Sequence, residues 1–250
     1  MKQLWAKNIP FLVIESAKTE YRAIKKFSDH SDPSIKKLAE DMRVFIAGGQ
    51  ASPFTLNPLK KLESISTNEH IENVLACFKA VLPVSCGSLP SLLSEATERL
   101  YEKFPDSDKP PVMSDLVALV EDVLGSKNYS ANTRSDIQTA IEVRLAVLAQ
   151  LLIGEVFADR GGVDIEDLMK LPAIVELDKL TGEKKCLLTL FIFNLIRTAL
   201  KAQPNYQGPL RYAIIIEEAH NIFGSAGSVA SEEVADPKSQ LSDFLYQMMV

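Results

Sequence analysis

Cysteine and histidine are too few and too scattered to build a metal or disulfide framework. The three cysteines, Cys77, Cys86 and Cys186, form no Cys-x-x-Cys pair, and the three histidines lie far apart, so neither a zinc site nor disulfide stapling is expected. That usage suits a reducing, cytoplasmic setting. No apolar run reaches the roughly 18 residues that a membrane-spanning helix needs, and Met1 to Lys7 is too polar for a signal peptide. A protein without a membrane segment is therefore expected. An excess of positive charge is also missing. The net charge of −6 gives no overall attraction to nucleic acid or anionic lipid, although a local basic loop is compatible with an acidic exterior. Neither an internal repeat nor a low-complexity tract is present.

What the chain does have is apolar residues in number. Its 250 residues are 46% hydrophobic and 24% charged, enough to bury a large core. Ile9 to Glu15 is a short apolar run ending in a carboxylate, which reads as a strand buried on both faces. Three runs resemble it: Val44 to Ala47 before Gly48-Gly49, Ile174 to Leu177 before Asp178, and Tyr212 to Ile216 before Glu217-Glu218. Between the first two, Glu20 to Met42 is charged with helical periodicity, so the order is strand, helix, strand. That order predicts an α/β fold with a parallel sheet.

From about Asn68 to Phe157 the pattern becomes helical, through Ile71, Val74, Leu75 and Phe78, then Leu92, Leu93, Ala96 and Leu100. Ser114 is placed to cap a helix from Asp115 to Leu124 closed by Gly125, and Thr133 or Ser135 to begin a longer one reaching Ile153. Residues 68–157 thus read as an all-helical insertion between the two parts of an α/β core, 1–67 and 158–250. Two further helices are expected, Lys184 to Ala202 and Pro237 to Val250 with Asp236 as its cap. The small, polar stretch Gly224 to Ala235 reads as a loop after the carboxylate pair.

A buried strand that delivers two adjacent acids, Glu217 and Glu218, to its C-terminal end suits a nucleotide hydrolase, because ligands bind at that edge of parallel sheets. One acid would hold Mg²⁺ and the other orient the attacking water. The two can differ in role only if the chain turns at this point, since successive strand side chains point to opposite faces. Taken alone, an ordinary strand ending in two solvated acids accounts for the same pattern. His220 reads as a helix start, Asn57 as a turn residue and Trp5 as core packing.

Three segments in order carry a family resemblance. Ile9 to Arg22 resembles the segment after the P-loop helix of HerA/FtsK-type ATPases, which are related to the ATPases of conjugation and type IV secretion. Ser52 to Pro58 is similar to the family's segment after the next strand, and Ile214 to Asn221 to its Walker B strand. The resemblance implies a RecA-like P-loop NTPase core with a helical insertion. It also implies ATP and Mg²⁺ as cofactors and a homo-hexameric ring that moves DNA, or protein in the secretion branch, with a nuclease or other effector as possible partner. Residue by residue, it makes Glu217 the metal acid and Glu218 the catalytic acid. Glu15 becomes the acid ending the strand after the P-loop helix, and Lys18 and Arg22 become cations near the phosphates. Glu stands at 217 where related motors often have Asp.

The family's Gly-x-x-x-x-Gly-Lys-Ser/Thr motif, whose backbone amides cradle the phosphates, has no counterpart in the 250 residues. Met1 to Asn8 reads as the last turns of the helix that follows such a motif, and Val250 falls inside a helix. The expectation is an interior piece of a longer ATPase that does not bind ATP tightly by itself. Three other readings stay open: a degenerate, non-hydrolysing subunit, a secretion or conjugation ATPase in place of a DNA motor, and a helical interaction module.

Overall fold

Each of the four apolar runs folds as a strand in the computed structural model, which describes residues 1–81, 89–105, 108–146, 152–157, 162–203 and 209–223. They are β1 (Phe11–Glu15), β2 (Arg43–Ile46), β3 (Ala173–Glu176) and β4 (Ala213–Glu217). All pair in parallel in the order β2-β3-β1-β4. β1 sits between two neighbours and is buried along its length, as a continuous apolar run in a parallel sheet requires.

Strand alternation sorts the sheet's side chains between two faces. Leu12, Ile14, Ala173 and Val175 enter a large core shared with the helices between β2 and β3. Phe11, Val13 and Ile174 enter a smaller one. That smaller core is covered by α1 (Lys2–Ala6), a 3₁₀ helix (Tyr21–Phe27) and α2 (Pro33–Asp41). The expected helical stretch from Glu20 to Met42 is thus split in two. Asp32 caps α2 by accepting from the Ser34 amide at 2.8 Å, with Pro33 in the first turn. Lys25 of the 3₁₀ helix donates to the carbonyls of Ala39, Glu40 and Met42 at its other end. Trp5 packs against this core as expected and donates to Asp41 at 2.9 Å.

Between β2 and β3 the described elements are helical: α3 (Thr67–Val81), α4 (Leu89–Lys103), α5 (Met113–Ser126), α6 (Ala131–Ala140), a π-helical turn (Ile141–Ala146), α7 (Leu152–Phe157) and α8 (Ile165–Leu168). Two start points differ from the sequence reading. α5 begins at Met113, because Asp115 accepts from the Val112 amide at 2.9 Å, so Ser114 is not its cap. α6 begins after Ser130, which accepts from the Thr133 amide. The continuous helix expected to reach Ile153 instead passes into the π-helical turn after Ala140.

Asn57 makes a turn and also a contact. Its side chain is buried, accepts from the Leu59 amide and donates to the Pro111 carbonyl at 2.8 Å. Gly162, with φ of +55°, lies so near that a Cβ there would meet the Asn57 amide nitrogen at 3.0 Å, so glycine fits both the left-handed backbone and the close approach. The chain returns to the sheet through β3, and α9 (Gly182–Lys201) then packs on α3. β4 leads into the short helix α10 (His220–Phe223). The expected loop Gly224 to Ala235, the helix Pro237 to Val250 and Cys86 lie outside the described residues.

Candidate active site

Parallel pairing sets Glu176 of β3, Glu15 of β1 and Glu217 of β4 side by side in register at the C-terminal edge of the sheet. Registered residues of a parallel sheet point to one face, here the face covered by the 3₁₀ helix. β3 ends at Glu176, one residue short of the apolar run Ile174 to Leu177, so Glu176 and not Asp178 is the acid in register at this edge. Glu15 and Glu176 have no exposed surface.

The three acids have different partners. Glu15 Oε1 accepts from the backbone amides of Glu20 at 2.6 Å and Tyr21 at 3.5 Å, while its buried Oε2 has no hydrogen-bond partner. Burial raises its carboxyl above the ordinary 4.5, against the lowering by those two amides. Glu176 accepts two bonds from Arg22, Nε to Oε1 at 2.8 Å and a terminal nitrogen to Oε2 at 2.5 Å. Burial raises Glu176 as well, with Arg22 opposing. Glu217 Oε2 accepts from the Tyr21 hydroxyl at 2.9 Å. That bond, more than burial, holds the Tyr21 phenol above its ordinary 10.0.

Glu218 leaves the strand. Its φ is +49°, in the left-handed region that non-glycine residues occupy at a cost of about 1–2 kcal/mol. Such strain is retained where surrounding structure enforces it, often at functional sites. The turn required for the two acids to take separate roles is therefore present. Glu218 Oε2 accepts from Asn221 at 2.9 Å, and Oε1 lies 3.5 Å from Lys18. His220 is exposed at the start of α10 and follows the turn.

The segment leaving β1 ties this edge together. Ser16 Oγ donates to the Glu217 carbonyl at 3.0 Å, and Lys185, in the first turn of α9, donates to the Ser16 carbonyl at 2.5 Å. Glu15, Glu217, Glu218 and Lys18 thus meet at one edge. Arg22 is there too, but committed to Glu176. Tyr21, Glu176, Ser16 and Asn221 escaped the sequence reading. Of these, only Glu176 carried a signal, an acid closing an apolar run as Glu15 does.

Among the described residues no three His, Cys, Asp or Glu side chains converge to hold a metal by themselves. Mg²⁺ with a nucleotide needs only one or two carboxylates, the phosphates and water supplying the rest. The partly exposed Glu217 and the unpartnered Glu15 Oε2 fit that hard-oxygen demand. Among the described residues no helix is long and apolar enough to cross a membrane. Cys77 and Cys186 are buried, and the Cys186 thiol donates to the Ile222 carbonyl at 2.9 Å.

No protein-family model matches the chain, and the search of curated proteins finds no relative. Among solved structures, VirB4 of Thermoanaerobacter pseudethanolicus aligns over 98% of this chain and 86% of its own, at 12% identity and a TM-score of 0.58. The plasmid coupling protein TrwB in complex with the GTP analogue GDPNP aligns over 87% of this chain and 58% of its own, at 15% identity and a TM-score of 0.48. TrwB with an ATP analogue gives 14% identity and a TM-score of 0.44, over 88% of this chain and 60% of its own. In fold, this chain is a parallel α/β core similar to that of VirB4, in line with the HerA/FtsK-type resemblance of its segments.

Proposed function

We propose that this chain carries the metal- and water-handling acids of an ATP-driven motor of the conjugation and type IV secretion branch. The observation that supports it best is the acid arrangement at the sheet's C-terminal edge, with Glu15 and Glu217 in register and Glu218 turned away in a left-handed conformation. Glu217, with Glu15 beside it, would hold Mg²⁺, whose charge offsets that building up on the phosphates of ATP. Glu218 orients the attacking water and takes its proton. Lys18, beside Glu218, would meet phosphate charge at this edge. Arg22 serves the phosphates only after leaving Glu176. The phosphate cradle is not encoded in these 250 residues and comes from elsewhere in the working motor.

The fold likeness to VirB4 favours the secretion and conjugation branch. The order of the segments 9–22, 52–58 and 214–221 supports a second reading, a HerA-type DNA translocase. Both imply a homo-hexameric ring in the cytoplasm, and the second a DNA substrate with a nuclease or other effector as partner. Replacing Glu217 by Gln tests the shared core. Nucleotide affinity in the longest polypeptide that this reading frame encodes should lose most of its Mg²⁺ dependence, measured by calorimetric titration with and without the metal. Unchanged Mg²⁺ dependence would remove Glu217 from the site. Stimulation of ATP turnover by duplex DNA would favour the second reading.

A further inference from the structure

We infer that Tyr21 is the positioning residue of the metal acid Glu217, fixing its carboxylate so that one oxygen stays available to a divalent cation. The inference rests on the reading of Glu217 given above.

Tyr21 opens the 3₁₀ helix and touches the acids of two neighbouring strands. Its hydroxyl donates to Glu217 Oε2 at 2.9 Å and its backbone amide to Glu15 Oε1 at 3.5 Å. The Tyr21 ring packs against the core of Phe11, Val13 and Ile174, so the hydroxyl stands on a side chain with little freedom of its own. From the same segment, Ser16 holds the Glu217 carbonyl. Backbone and carboxylate of Glu217 are thus gripped together, while Oε1 makes no hydrogen bond among the described residues. Glutamate has one more rotatable bond than aspartate, so an unsupported carboxylate here would lose more conformational freedom on binding a cation. The phenol removes that freedom in advance, as outer hydrogen-bond partners do for metal-ligating side chains.

The test titrates Mn²⁺, a divalent ion with the same preference for oxygen ligands, into the complex of an ATP analogue with the longest polypeptide that this reading frame encodes, and follows the protein-bound ion by electron paramagnetic resonance. Glu217→Gln should remove most binding. Tyr21→Phe keeps the ring and its packing and should weaken Mn²⁺ affinity about tenfold or more, with a melting temperature close to that of the unsubstituted chain. Affinity kept in Tyr21→Phe but lost in Glu217→Gln would overturn the positioning role alone. A chain that binds no Mn²⁺, or binds it equally well as Glu217→Gln, would overturn the reading of Glu217 and the inference with it.

An alkaline absorbance titration examines the contact independently of any metal. Replacing Glu217 by Gln removes the negative charge facing the phenol, so the tyrosine ionisation that disappears in Tyr21→Phe should move to lower pH. An ionisation that stays in place would show that the two side chains do not meet in solution.

Discussion

Arg22 illustrates how a residue's chemistry is fixed by a partner far along the chain. The family resemblance implies a cation near the phosphates, whereas in the fold Arg22 makes a two-pronged bond to the fully buried Glu176, 154 residues away. Arg22→Met leaves that carboxylate buried and unpaired. Urea denaturation should show a loss on the order of 2–3 kcal/mol, below the range for a fully buried pair because Arg22 is half in water. Adding Glu176→Gln should restore most of it. Glu15 carries a pH dependence whose sign follows from burial. Its carboxyl titrates above the ordinary 4.5, so between 4.5 and the raised value the folded chain binds more protons than the unfolded one, and stability declines as pH rises through that window. Glu15→Gln should melt near the unsubstituted chain at pH below 4.5 and above it at neutral pH. Melting curves at the two pH values check this. Glu15 and Glu217 were legible in the sequence because each closes an apolar run, and Glu176, which closes one too, was passed over. Tyr21 and Asn221 were not legible, since nothing in spacing or periodicity announces that a hydroxyl will meet a carboxylate 196 residues on.

Strands and long helices announce themselves through burial, and their ends do not. All four strands were visible as short apolar runs, because a strand covered on both faces has no room for polar alternation. The apolar pattern from Leu187 to Leu195 likewise marked α9. Helix starts moved wherever a side chain other than the expected one reached a free amide, as Asp115 and Ser130 do. The junction of helices and sheet core rests on aromatic packing that periodicity cannot specify. Phe191 of α9 meets Phe78 of α3 at 5.5 Å and Phe157 of α7 at 5.6 Å, both edge to face. All three are fully buried. Phe191→Ala should lower stability by about 3–5 kcal/mol in denaturant titration. Because the helices and the sheet share one hydrophobic core, it should do so in a single transition.

One edge of the sheet gathers acids from three strands and from the turn after β4. The α/β class and the parallel sheet were readable from strand–helix order, and the likeness to VirB4 agrees with them. Strand order was not readable, because β1 lies between β3 and β4 through pairings that local sequence does not encode. With no phosphate-binding glycine loop among its residues, the 250-residue chain should bind ATP no tighter than the millimolar range. Calorimetric titration of ATP into it measures that directly. The proposed chemistry rests on a division of labour between Glu217 and Glu218. Its most direct test is ATP turnover by the longest polypeptide this reading frame encodes, compared with the same protein carrying Glu218→Gln. Nucleotide binding should persist while kcat falls about 100-fold or more. An unchanged kcat would contradict it.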